Sequence, residues 1–74
     1  MGIREDKKII LETANKIKEA RESKGLTQAE VAKLAGLDSN SYAKIERGES
    51  SPKGVSLTKI AKALGVKASE ILPV

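Results

Sequence analysis

The sequence predicts an all-α domain, and three observations carry that expectation. Apolar residues recur at intervals of three and four along most of the chain, the signature of helices with one buried face. Each such run is bounded by a capping residue in front and a glycine behind, so the helices are short and separately punctuated. The chain has 74 residues, one aromatic residue and no cysteine. This describes a single domain whose small core must be built from aliphatic side chains on packed helices, without disulfides to reinforce it.

Met1 to Glu5 carries no pattern and is expected to fray. From Asp6, a plausible cap, the chain reads as one helix over about residues 6–24. Ile10, Ala14, Ile17 and Arg21 lie on its inner stripe, and Lys16, Lys18, Glu19 and Glu22 lie outside. Gly25 ends it. Arg21 is out of place on an inner stripe, because a charge taken out of water is costly unless it is paired.

The second helix is expected over residues 28–35. Thr27 and Glu30 have the spacing of a capping box: the threonine oxygen accepts from the amide three residues on, and the glutamate reaches back to the threonine amide. Leu26 precedes the cap and can pack on Val31. Val31, Ala32 and Ala35 face inward, and Gly36 provides the left-handed stop that a tight turn needs. The same grammar follows at once for a third helix, residues 39–47: Asp38 is the cap, Leu37 can pack on Tyr42, Leu37, Tyr42 and Ile45 face inward, and Gly48 ends it.

Residues Glu49 to Val55 read as a loop from their serine, proline and glycine content. Ser56 is then expected to cap a fourth helix over 57–64, with Leu57, Ile60, Ala61 and Leu64 on one face and Lys59 and Lys62 on the other. Gly65 stops it, and Val66 is a candidate core residue. A last short helix over 68–72 ends before Pro73. Lys67 is a poor cap, so this helix is expected to begin less firmly. No internal repeat, low-complexity segment or interdomain linker is present, and residues 1–74 read as one domain.

Composition excludes several function classes. With no histidine, no cysteine, no glycine-rich phosphate loop and scattered carboxylates, the chain offers no acid–base pair, no activated nucleophile and no metal-ligand cluster. No enzyme activity, metal or cofactor is expected, and no small-molecule ligand is evident. The apolar run Ile9 to Leu11 is too short for a signal peptide or a membrane span, and a cytoplasmic location is expected. Fourteen basic against ten acidic residues leave a net charge of +4, which favours polyanions at low salt. Mixed charges on the first helix nonetheless read as a solvated face.

The polar face of the third helix differs in kind from such a face. Ser39, Asn40, Ala43, Lys44 and Arg47 point outward, and small hydrogen-bonding side chains in the first turn allow close approach to a groove. Asparagine and lysine are among the side chains that read adenine and guanine edges. Ser39 and Asn40 also suit a helix start for purely local reasons.

The string GLTQAEVAKLAGLDSNSYAKIERG, followed by SLTKIAKALGV and EIL, resembles the Cro/repressor-type (XRE-like) helix-turn-helix family. The likeness lies in the T-Q-x-E start, the A-G turn, the I-E-R-G end and the I-A-x-A-L-G-V fourth helix, and it covers about Ile17 to Leu72. The resemblance implies a compact five-helix bundle of the lambda-repressor-like type, with helices two and three forming the helix-turn-helix. It implies a transcription regulator of repressor or controller type that binds double-stranded DNA by inserting helix three into the major groove. Ser39, Asn40 and Lys44 are the candidates for reading bases. Gln28, Thr27, Arg47, Ser51 and Lys53 are the candidates for phosphate contacts, although Arg47 also suits a helix end and Lys53 reads equally well as a solvated loop charge. The segment SSPKGVS is slightly longer than the family's linker, which leaves the aim of Ser51 and Lys53 open. Family resemblance further implies that Arg21 pairs with Glu46.

One such module buries little surface, so a homodimer on a pseudo-palindromic operator is expected. Leu34, Val55, Ile71, Val74, Ile9 and Leu11 are candidates for its interface. A reading from another class is a protein-interaction module, such as an antitoxin-like bundle that docks a protein partner. The serine and asparagine of helix three speak against it, and the modest net charge speaks mildly for it.

Overall fold

The computed structural model describes residues 2–71, with side chains from residue 7 onward. Five helices follow one another: α1 (Gly2–Ser23), α2 (Gln28–Ala35), α3 (Ser39–Glu46), α4 (Gly54–Leu64) and α5 (Ala68–Ile71), with no strand among the described residues. The 22 residues of α1 span about 33 Å at the helical rise, close to the 36 Å long axis of the molecule. Against this rod α3 and α5 pack; α2 lies on α3 and α4, and α4 on α5.

The core is aliphatic, as composition requires. Ile17, Val31, Ala32, Ala35, Ile45, Ile60, Ala61, Leu64 and Ile71 are buried around Tyr42, and Leu26, Leu37, Leu57 and Val66 close its edges. Burying each large aliphatic side chain contributes about 1.5–3 kcal/mol, so a core this small leaves little surplus stability.

Both expected caps of the central pair are formed. Thr27 Oγ accepts from the Glu30 amide at 3.1 Å, and the Glu30 carboxylate accepts from the Thr27 amide at 2.8 Å. Asp38 accepts from the Ser41 amide at 3.1 Å.

The first four helices end alike. A glycine with positive φ, Gly25, Gly36, Gly48 or Gly65, turns the chain so that the next amide returns to the last turn: Leu26 to Arg21, Leu37 to Ala32, Glu49 to Lys44 and Val66 to Ala61, at 2.8–3.2 Å. The residue after such a glycine is usually apolar and packs back on the helix. Leu26, Leu37 and Val66 do so. Glu49 is the exception, and its side chain is exposed.

Several expectations are corrected. Helix α1 begins at Gly2, so Asp6 lies within it rather than capping it, and residues 2–5 are helical. Helix α4 begins at Gly54, three residues earlier than expected. Lys53 stands at its N-cap with no side-chain hydrogen bond, and Ser56 is inside the first turn, not the cap. The first bond of α4 runs from the Leu57 amide to the Lys53 carbonyl at 2.7 Å. Packing of its apolar face thus outweighs the weak propensity of Gly54 and Val55. Helix α5 starts more firmly than Lys67 implied, because Glu70 accepts from the Lys67 amide at 2.7 Å, half of a capping box. Ile71, an interface candidate, is a core residue. Leu72 and Val74 lie outside the described residues.

Candidate nucleic-acid interface

The site is built on α3 and on what holds it. Tyr42, Ile45 and Glu46 are its buried residues, leaving Ser39, Asn40, Ser41, Lys44 and the following Arg47 exposed. Asn40 and Lys44 are four residues apart and so share one helix face. The three expected base readers therefore project from an uncovered surface.

That surface is anchored by Arg21 and Glu46. Arg21 Nε donates to Glu46 Oε2 at 2.6 Å and Nη2 to Oε1 at 3.2 Å, while Nη1 donates to the Leu26 carbonyl at 2.7 Å. The side chains are 13% and 2% exposed. One guanidinium thus ties α1, the chain before α2 and the last turn of α3. Burial works to raise the Glu46 carboxyl, but hydrogen bonds from Arg21 and Gln28 and the adjacent Tyr42 hydroxyl outweigh it and hold the group below the usual carboxylate range. Hydrogen bonding to Glu46 in turn raises the Arg21 guanidinium. The Tyr42 hydroxyl lies buried beside both groups without a well-formed hydrogen bond to either.

Of the expected phosphate-contacting residues, Gln28 and Thr27 are already engaged internally. Gln28 Nε2 donates to Glu46 Oε1 at 3.0 Å, which leaves its second N–H for another acceptor. Thr27 Oγ accepts within the capping box and keeps its hydroxyl proton to donate. Arg47 is held by Glu49, with Nε–Oε2 at 2.8 Å and Nη2–Oε1 at 3.3 Å.

Ser51 and Lys53 line an open cleft of about 350 Å³ between α3 and the loop leading to α4. Lys44, Ser41, Ser50 and Ser56 line it too. The amides of Gly54, Val55 and Ser56 precede the hydrogen-bond ladder of α4 at the same end. Two lysines and four serine hydroxyls so gathered suit an anionic oxygen-rich ligand. Ser41, Ser50 and Ser56 were not expected at this site, since no sequence spacing links them; Ser56 was read only as a helix cap. The Gln28–Glu46 and Arg47–Glu49 bonds were missed for the same reason.

A helix-turn-helix family model (HTH_3) matches residues 17–71. The chain belongs to the helix-turn-helix family. It is 37% identical over 59 residues to the cryptic phage CTXphi transcriptional repressor RstR of Vibrio cholerae, covering 80% of this chain and 53% of that protein. It is 38% identical over 52 residues to the uncharacterized HTH-type transcriptional regulator y4dJ of Sinorhizobium fredii, covering 70% of this chain and 68% of the relative. The chain thus spans about half the length of RstR and two thirds of y4dJ. Among solved structures, the restriction-modification controller protein C.AhdI from Aeromonas hydrophila superposes with a TM-score of 0.83 at 32% identity, over 85% of this chain and 96% of that one. Both relatives are described as transcriptional regulators, and the solved neighbour is a controller protein. The matched segment begins at Ile17, within α1.

No described helix is long and apolar enough to cross a membrane, and no group of metal-ligating side chains occurs among the described residues.

Proposed function

We propose that this helix-turn-helix chain binds operator DNA and regulates transcription, as a repressor or a controller, with α3 seated in the major groove. Asn40 and Lys44 read base edges, with Ser39 beside them. Thr27 and Gln28 at the start of α2, Arg47 at the end of α3 and the cleft of Ser51 and Lys53 contact phosphates on either side. The observation that carries this reading is the exposed Ser39, Asn40 and Lys44 face on a helix fixed from behind by the buried Arg21–Glu46 pair. A rigid support of that kind suits a surface that must hold its side chains in register with stacked bases.

The working unit is a homodimer on a pseudo-palindromic site. Leu34 and Val55, 63% and 71% exposed, together with Ile9 and Leu11, are the apolar side chains available for its interface.

Selection of bound fragments from a random-sequence duplex pool tests the proposal. Enrichment of two related half-sites centred roughly 34 Å apart, with affinity falling steeply as salt rises, is the expected result. A pool that shows no enrichment, or binding that ignores salt, would overturn it in favour of a protein partner docked on the same bundle.

A further inference from the structure

Among the four helices that end at a glycine, Glu49 alone breaks the pattern of their endings. After α1, α2 and α4 the position following the glycine holds Leu26, Leu37 or Val66, each tucked against the core. After α3, the helix that carries the base readers, it holds a carboxylate. Its backbone is fixed: the Glu49 amide donates to the Lys44 carbonyl at 2.9 Å and the Gly48 amide to the Ile45 carbonyl at 3.1 Å. From that anchored position the side chain grips Arg47 with two hydrogen bonds, 2.8 and 3.3 Å long. Arg47, and to a lesser degree Lys44, hold the Glu49 carboxyl below the usual carboxylate range. A negative charge therefore sits against Arg47, one of the cations assigned to DNA.

We propose that Glu49 is a specificity-determining residue that competes with DNA phosphate for Arg47 and screens out misplaced duplexes. The inference rests on the DNA-binding reading given above. A guanidinium takes a carboxylate or a phosphate in the same two-pronged manner, so one ligand must leave before the other binds. A phosphate brought to the fork by a correctly seated α3 replaces the carboxylate with an equivalent partner. A phosphate on a duplex lying in the wrong register offers a single long contact and does not displace it. The clamp is exposed and worth little in water, which suits a partner that must be exchanged.

The test is a mutant cycle on the full chain with a mixed-sequence 20-base-pair duplex as the probe, comparing the original protein, E49Q, R47A and the double variant between 50 and 200 mM NaCl. Glu49 is exposed and its turn is made by backbone groups, so E49Q keeps the fold. E49Q is expected to bind the probe about three- to fivefold tighter at low salt, with a log–log salt slope steeper by about 0.9, the value of one added phosphate contact. R47A is expected to abolish that gain. An equal gain in the R47A background would reduce the effect to general charge and overturn the proposal, as would no gain at all. An original protein that binds neither this duplex nor any selected fragment at 50 mM salt overturns it together with the DNA-binding reading.

Discussion

Leu11 fills the space that a β-carbon on Gly48 would need: such an atom would lie 2.5 Å from Leu11 Cδ2. The contact joins the first half of α1 to the point where α3 gives way to the Ser51–Lys53 loop. Gly48 has φ +76°, so alanine there meets two penalties, an unfavourable backbone and a displaced leucine. Gly48→Ala is expected to lose about 1–2 kcal/mol, chiefly from the backbone, with a smaller share from displacing the exposed Leu11 side chain. In a Leu11→Ala background the loss should shrink toward the backbone share alone, and urea unfolding of the four proteins measures the coupling. Strict additivity would show that the two residues do not meet.

Arg21→Ala leaves the buried Glu46 carboxylate without its two-pronged partner. The expected cost is roughly 3 kcal/mol, which for a domain this small means a fall in Tm of more than about 10 °C. A melting curve that barely moves would refute the pair's structural role.

Stability should depend on acid through the same group. The folded-state pKa of Glu46 lies below the unfolded value, so its contribution is fully present above the ordinary glutamate pKa and is lost as pH falls through the folded value. Tm measured from pH 7 downward is therefore expected to drop below the ordinary glutamate range, about pH 4–4.5. Glu46→Gln is less stable at pH 7 and should show a flatter profile in acid. Parallel profiles for the two proteins would assign the acid response to other carboxylates.

The Tyr42 hydroxyl is buried without a formed hydrogen bond, and burial pushes its pKa up, so it stays neutral at any ordinary pH. Removing an unsatisfied buried group relieves a desolvation cost of about 1–3 kcal/mol. Tyr42→Phe is thus expected to change Tm little, because the relieved desolvation offsets the loss of the hydroxyl's help to the Glu46 carboxylate. Marked destabilisation would mean that the hydroxyl is bonded to Glu46 or Arg21 after all.

Asn40→Ala and Lys44→Ala should leave Tm unchanged within a degree or two, both residues being exposed, and relax discrimination at one base pair each by about 1–3 kcal/mol. Competition binding with single-base variants of a selected operator measures this. Weakening that is uniform across all sequences would reassign the residue to a phosphate contact.

The central helices were legible because their signals are local. Thr27 with Glu30, and Asp38 before Ser41, act within one turn, and the structure places both caps where the spacing put them. The start of α4 was misread for a matching reason: Ser56 is a good cap by type, but α4 packs on α2 and α5 with Leu57, Ile60 and Leu64 in or against the core, and that packing extends the helix back to Gly54. Ile71 looked like a spare apolar residue because nothing local shows that α5 folds back onto α1. The Arg21–Glu46 pair spans 25 positions and came from family resemblance, with only the misplaced charge on an inner stripe as an independent hint. Gln28–Glu46 and Arg47–Glu49 had no such hint, since they depend on how the last turn of α3 is held.

The lone aromatic residue of the chain is Tyr42, fully enclosed and touching the groups that join α1 to α3. Its ring is accordingly the sole source of near-ultraviolet absorption and intrinsic emission above the peptide bands. The molecule thus supplies its own optical probe at the joint behind the reading helix, and loosening of that joint can be followed spectroscopically without attaching a dye.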